Sequence, residues 1–223
     1  MRQTRLPSLP SLSSASLSSL PTGRRRVMAA AVAGLALLAA GCKDSPKPAA
    51  APGGAPQGAP SGQAVSVETI AAEAKGFDVG STMAVRQVYV FFDPQCPHCA
   101  ALWNAAKPLK AQARFTWIPV GLRNPTSSVQ GAALLAAADP VALMDQHEAS
   151  IMAKQGGLVA QGNVDAQKAL VAANTALMNR FGFGSVPVVV AKHAVTGALV
   201  VKEGAMPTPA LANALGLQVP AGN

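Results

Sequence analysis

The sequence predicts an α/β domain in which a β-α-β half and a β-β-α half are separated by a helical insertion, and three observations carry that expectation. A strongly β-forming run over 86–92 ends at Asp93-Pro94 and is followed, after a short turn, by Cys99, Leu102, Trp103 and Ala106 at helical spacing. Two short apolar runs, 186–191 and 198–202, are separated by the turn signal Thr196-Gly197. Between these halves lie three stretches of helical pattern.

The remaining elements follow in order. A short helix is expected over 66–75 as a lead-in, and Pro108 is expected to end or kink the helix that carries Cys99. Residues 114–120 read as the second strand. A helix over 127–138 gives way to another started by Asp139 as N-cap and Pro140 as first helical residue. After a glycine-containing loop over 156–162, a third helix over 165–181 is expected to bury Leu170, Ala173, Leu177 and Phe181. A closing helix spans 207–215. Half of the 223 residues are hydrophobic, but only 4% are aromatic, so Val, Leu and Ala must supply most of the core.

The formal charge of +8 invites a nucleic-acid reading until it is located. Arg2, Arg5, Arg24, Arg25 and Arg26 all precede Cys42, and no acidic residue does. Beyond Cys42 the two signs are nearly balanced and form no basic stripe, so no nucleic-acid partner is expected. The leader itself reads as an export signal over 1–41: Arg24-Arg25-Arg26, an apolar run from Val27 to Ala40, then a small-residue junction. That run is shorter than the roughly 20 residues a membrane span needs. The junction Leu38-Ala39-Ala40-Gly41-Cys42 resembles a bacterial lipobox, which makes Cys42 the candidate lipidation site and implies a lipid anchor to the membrane. Ordinary signal cleavage, with Cys42 incidental, is the alternative. Ala39 departs from the usual Leu at its position, and Lys43 after the cysteine resembles the pattern sorted toward the outer membrane. The Arg triplet also resembles a twin-arginine signal. Residues 42–64 are rich in Pro, Ala and Gly, too poor in apolar surface to offset ordering entropy, and are expected to form a disordered tether. Residues 65–80 are expected as the helical lead-in, and 81–218 as the catalytic domain, with its insertion at about 124–182.

The chemistry is expected at Cys96-Pro97-His98-Cys99. A structural bridge normally joins distant segments, and so short a loop constrains little of the unfolded chain. Cys96 opens a helix after a strand and a turn. Pro97 then occupies the first helical position, where its missing N–H costs nothing. The N–H groups of His98 and Cys99, with the helix dipole, favour a thiolate at Cys96, and a protonated His98 would add to the effect. Cys96 is thus the expected exposed nucleophile and Cys99 the buried resolving thiol. A competing reading makes His98 a metal ligand beside two thiolates, yet His147 and His193 stand apart in sequence and no second ligand cluster is evident, so no metal and no cofactor are expected. Further along, Gly182-Phe183-Gly184-Ser185-Val186-Pro187 leads into a strand, which makes Val186-Pro187 a candidate cis peptide. Its backbone is expected to offer hydrogen bonds to an extended substrate segment, as in strand addition. The alternative is an ordinary trans proline at an edge.

The order of elements resembles the thioredoxin-like fold with helices inserted in its middle. Val90-Phe91-Phe92-Asp93-Pro94-Gln95-Cys96-Pro97-His98-Cys99 resembles the active-site strand and helix of periplasmic thiol:disulfide interchange proteins of the DsbC/DsbG type. Trp117-Ile118-Pro119-Val120-Gly121-Leu122, Pro125-Thr126 and Ala138-Asp139-Pro140 resemble the DsbG branch in particular. The resemblance covers about 81–216. It implies disulfide exchange, isomerisation or reduction of oxidised cysteines on exported proteins, with a membrane redox partner, DsbD-like or DsbB-like, to reset the pair. Family members carry an N-terminal dimerisation domain for which no counterpart is read here, so a monomer is expected. Pro97-His98 and Val186 before Pro187 resemble the oxidase DsbA instead, which leaves a disulfide oxidase as the alternative. A metal-binding or chaperone-like lipoprotein is the alternative from another class.

Overall fold

A computed structural model describes residues 62–220. The leader, Cys42 and the tether up to residue 61 lie outside those described residues.

The described residues build a five-stranded sheet of order β1-β3-β2-β4-β5. Strand β2 (Gln87–Phe92) runs parallel to β3 (Arg114–Pro119), joined by the crossover helix α2 (Pro97–Ala106). β4 (Val188–Lys192) pairs antiparallel with β2, and β5 (Leu199–Glu203) antiparallel with β4. Both halves therefore form as their β-branched and aromatic runs predict.

β1 (Phe77–Gly80) is a strand that the sequence pattern does not announce. It pairs antiparallel with β3, Phe77 opposite Trp117 and Val79 opposite Phe115. The lead-in expected over 65–80 is therefore helical only over α1 (Val67–Glu73), capped by the Ser66 hydroxyl, which accepts from the Thr69 N–H. Its last four residues belong to the sheet. Only Phe77 and Val79 carry the alternation, too short a signal between Gly76 and Gly80 to stand out from a loop.

Period-2 alternation sends the strand side chains to two faces. Val88, Val90, Phe92, Phe115, Trp117 and Val189 pack against α2 and α6 (Thr208–Leu215). Phe91, Ile118, Val188 and Val190 pack on the other face with Ile70 of α1 and with Leu177 and Met178 of α5 (Asp165–Arg180). Phe77, Phe92, Trp103, Phe115 and Trp117 gather on the α2 side. Trp103 meets Trp117 edge-on with centroids 4.9 Å apart, Phe92 meets Trp117 at 5.6 Å, and Phe77 meets Phe92 at 6.3 Å. Each such pair contributes about 0.5–1.5 kcal/mol beyond area burial, which fixes α2 on the sheet.

The insertion comprises α3 (Pro125–Ala136), α4 (Pro140–Met152) and α5. α3 begins two residues earlier than expected, because Asn124 caps it through Oδ1 and Pro125 takes the first helical position. Asp139 and Pro140 start α4 as predicted. α5 buries Val171, Asn174, Leu177 and Met178 rather than the expected Leu170 and Ala173, which face outward; Phe181 at its C-cap is buried. The deciding residue is polar: buried Asn174 donates to the Lys75 and Pro119 carbonyls and accepts from the Lys75 N–H. An apolar-only pattern rotates the helix away from it. Among the described residues, no helix is long and apolar enough to cross a membrane.

Candidate active site

The strand-turn-helix from β2 to α2 positions the cysteine pair at one end of the sheet. Cys96 is the N-cap of α2 in extended conformation, and Pro97 opens the helix. Pro97 and His98 are exposed. Cys99, one turn on, is fully buried on the face that carries Leu102, Trp103 and Ala106. Cys96 is less accessible than expected for the attacking thiol, at 2% exposure. The reason lies across the site: its thiol points at the Val186 carbonyl, 3.8 Å from Sγ. The Val186-Pro187 peptide is cis, and Val186 itself packs against the core on both sides of the sheet. The fold thus brings Cys96, Cys99, Val186 and Pro187 together from positions ninety residues apart. Cys42 lies outside the described residues.

Both cysteines are free thiols, and their environments pull them apart. A hydrogen bond from the Cys99 thiol stabilises the Cys96 thiolate. The backbone N–H groups of Cys99 and His98 and the charge of Arg123 add to this against the cost of burial. Together they bring Cys96 from 9.0 down to about 6. Burial, first, and then the Cys96 sulfur hold Cys99 well above its ordinary value. At neutral pH the pair therefore carries one thiolate, on the sulfur nearer the surface.

Three residues that sequence reasoning passed over support this centre. Asp93 is fully buried, and each of its oxygens accepts two hydrogen bonds. Oδ1 takes the Gln95 N–H and the Ser127 hydroxyl; Oδ2 takes the N–H groups of Leu122 and Arg123. One side chain thereby ties the turn before Cys96 to the β3–α3 loop. The sequence conceals this role, since an Asp-Pro turn next to a strand reads as punctuation.

His147, which stands apart from the other histidines in the sequence, is 1% exposed and faces the same turn. Its Nδ1 accepts from the Leu158 N–H, so the ring proton sits on Nε2 and donates to the Pro94 carbonyl at 2.7 Å. Burial, offset by that bond, keeps its pKa below the ordinary value. Gln130 completes the strap, donating to the Gly156 and Leu158 carbonyls and accepting from the Gln95 amide. Gly157 makes the close approach feasible: its φ is +82°, and a Cβ there would strike the His147 ring.

Glu148, next to His147, is 1% exposed, and neither carboxyl oxygen has a hydrogen-bond partner. Burial above all, then the charges of Cys96 and Asp93, push it up to about 9. His193 lies away from the site near the β4–β5 turn, where Nδ1 accepts from Val195 and Thr196. Among the described residues no three His, Cys, Asp or Glu side chains gather as a metal-ligand set.

A sheet of this order, with a Cys-X-X-Cys helix start facing a cis-proline loop, is a thioredoxin-like arrangement. No protein-family model matches the chain. It is 34% identical over 141 residues to the thiol:disulfide interchange protein DsbG of Pseudomonas aeruginosa, a match covering 61% of this chain and 54% of that one. Over 65 residues it is 40% identical to DsbG of Escherichia coli, covering 28% of this chain and 26% of that one. The chain is thus similar to proteins of the DsbG type, and it spans about half the length of the Pseudomonas aeruginosa relative. In fold it is also similar to the catalytic domain of Proteus mirabilis ScsC. There the TM-score is 0.54 at 16% identity, over 67% of this chain and 96% of that one.

Proposed function

We propose that this protein is a thiol–disulfide oxidoreductase that acts on exported proteins through Cys96 and Cys99. The observation that carries this is the split between the two thiols: a stabilised thiolate at Cys96, facing the Val186 carbonyl beside cis-Pro187, with a protonated thiol buried behind it. In this reading the Cys96 sulfur attacks a substrate disulfide, the Val186 backbone aligns the substrate strand, and Cys99 displaces the substrate from the mixed disulfide. Similarity to two proteins named as thiol:disulfide interchange proteins supports the reaction class. A thiolate stabilised to about 6 also favours the reduced pair, so an oxidised pair passes its disulfide on readily. That supports the reverse of these steps, the oxidase direction, in which a substrate thiolate attacks the Cys96–Cys99 disulfide at Cys96. A DsbB-like partner would then reset the pair, and a DsbD-like one in the isomerase or reductase direction.

The same proposal puts the domain in the periplasm, with residues 1–41 as export signal, Cys42 as lipid attachment and 42–64 as tether. The supporting observations are the Arg triplet, the apolar run and the lipobox-like junction. Labelled palmitate tests the anchor: incorporation is expected in the wild type and lost in Cys42→Ala, and an unlabelled wild type contradicts it.

The activity is tested with Cys99→Ser expressed in the periplasm. Mixed disulfides between Cys96 and exported cysteine proteins are expected to accumulate and to disappear in Cys96→Ser/Cys99→Ser. Absence of any trapped partner, together with no turnover of a disulfide peptide by the wild type, would sink the reading.

A further inference from the structure

We propose that Arg123 is a specificity-determining residue of the exchange reaction, pairing with an Asp or Glu side chain close in sequence to the reacting cysteine of the substrate. The inference rests on the exchange reaction proposed above and adds a substrate class to it, cysteine segments that carry a carboxylate on one side of the cysteine.

Asp93 sets where Arg123 stands. The Arg123 N–H donates to Asp93 Oδ2 at 2.9 Å, and the Cys96 N–H donates to the Asp93 carbonyl at 3.0 Å. One residue thus holds the backbones of Arg123 and Cys96 together. The sheet order sets the side. β2 lies between β3 and β4, so Cys96, which follows β2, has the Val186-Pro187 loop of β4 on one flank. Leu122 and Arg123, which follow β3, are on the other. A substrate segment aligned by the Val186 backbone and bonded at Cys96 therefore continues toward Arg123. Neighbouring strands are about 4.8 Å apart and an extended chain advances ~3.3 Å per residue, so the side chain about two positions from the reacting cysteine arrives there.

The guanidinium is available to such a side chain. Arg123 is exposed, and among the described residues each ion pair joins a carboxylate to some other cation. Asp93, the acid that holds its backbone, is fully buried and spends both oxygens on four donors. Leu122, 38% exposed, adds apolar surface beside the charge. The charge also reaches the Cys96 sulfur, where it favours the thiolate. The opposite flank has the opposite sign: exposed Glu203 accepts from the Ser185 hydroxyl at 2.6 Å, one residue before Val186. A substrate carboxylate is therefore attracted on the Arg123 side of the cysteine and repelled on the Val186 side.

The test uses the full reduced protein and disulfide-linked dimers of one short cysteine peptide, with Glu, Gln or Lys at the second position before or after the cysteine. On the side that faces Arg123, the wild type is expected to reduce the Glu peptide about fivefold faster than the Lys peptide. In Arg123→Gln that ratio should fall to within about twofold, and in Arg123→Glu it should invert. The ratio is the readout, because a weaker thiolate at Cys96 slows every peptide alike and leaves it unmoved. A ratio unchanged in Arg123→Gln, or a wild type that does not distinguish Glu from Lys in either placement, overturns the role of Arg123 alone. A wild type that reduces none of the peptides overturns the exchange reading and this role with it. Should the variants fold poorly, salt decides on the wild type. At about 1 M the screening length is ~3 Å, so the Glu preference is expected to vanish, and its persistence overturns the role.

Discussion

Asp93 and Glu148 are both buried carboxyls beside the same cysteine pair, yet Asp93 accepts four hydrogen bonds and Glu148 none. The first stands in a turn where backbone N–H groups converge, so its charge is solvated by the protein. The second stands on a helix whose own backbone donors are already spent, so burial holds it neutral. Asp93 therefore builds the turn that presents Cys96. Glu148 is held neutral, at a cost in stability.

The largest test of that contrast is Asp93→Asn. Because each Asp93 oxygen accepts two donors, the amide must turn its NH2 toward two N–H groups or toward the Gln95 N–H and the Ser127 hydroxyl, whichever way it flips. A loss of about 2–3 kcal/mol is expected in urea unfolding. A change within about 0.5 kcal/mol would show that the turn does not depend on the carboxylate. Glu148→Met moves the other way, with a gain of about 1–2 kcal/mol expected from removing an unsatisfied polar group. Destabilisation there would mean that Glu148 has a structural partner after all.

The pH dependence of stability sharpens the comparison further. Glu148 titrates near 9 when folded against 4.5 when unfolded, so its contribution is full below 4.5 and is lost as pH rises toward 9. Cys96 is depressed from 9.0 to about 6, so its contribution grows as pH rises from about 6 to 9. The two oppose each other in the reduced protein, and oxidation removes the cysteine part. Urea midpoints of the oxidised form should therefore fall with rising pH across this range, while those of the reduced form flatten above about 6. Parallel curves for the two forms would contradict the assignment. The smallest effect expected is at His147, whose depressed pKa means that stability is lost as pH falls below the ordinary histidine value of 6.5. That acid limb should be absent in His147→Gln, and its persistence would assign it to another group.

Much of this molecule is legible in its sequence, and what is not has a common cause. The runs 86–92 and 186–191 and the Asp139-Pro140 start carry local signals strong enough to survive without tertiary context. Cys96, Cys99 and Val186-Pro187 come together in the fold as their residue types and positions relative to a strand suggest. β1 is hidden because its pairing with β3 does what its own composition cannot. Asp93, His147, Glu148 and Asn174 are hidden because a polar residue inside a helix or turn pattern reads as surface. Only the fold shows that their faces turn inward.

The central claim is that Cys96 rests as a thiolate while Cys99 does not, and the thiolate ultraviolet absorbance of the reduced protein tests it most directly. A single thiolate appearing with a midpoint near 6, and lost in Cys96→Ser, is predicted. A midpoint near 9.0 would contradict the account.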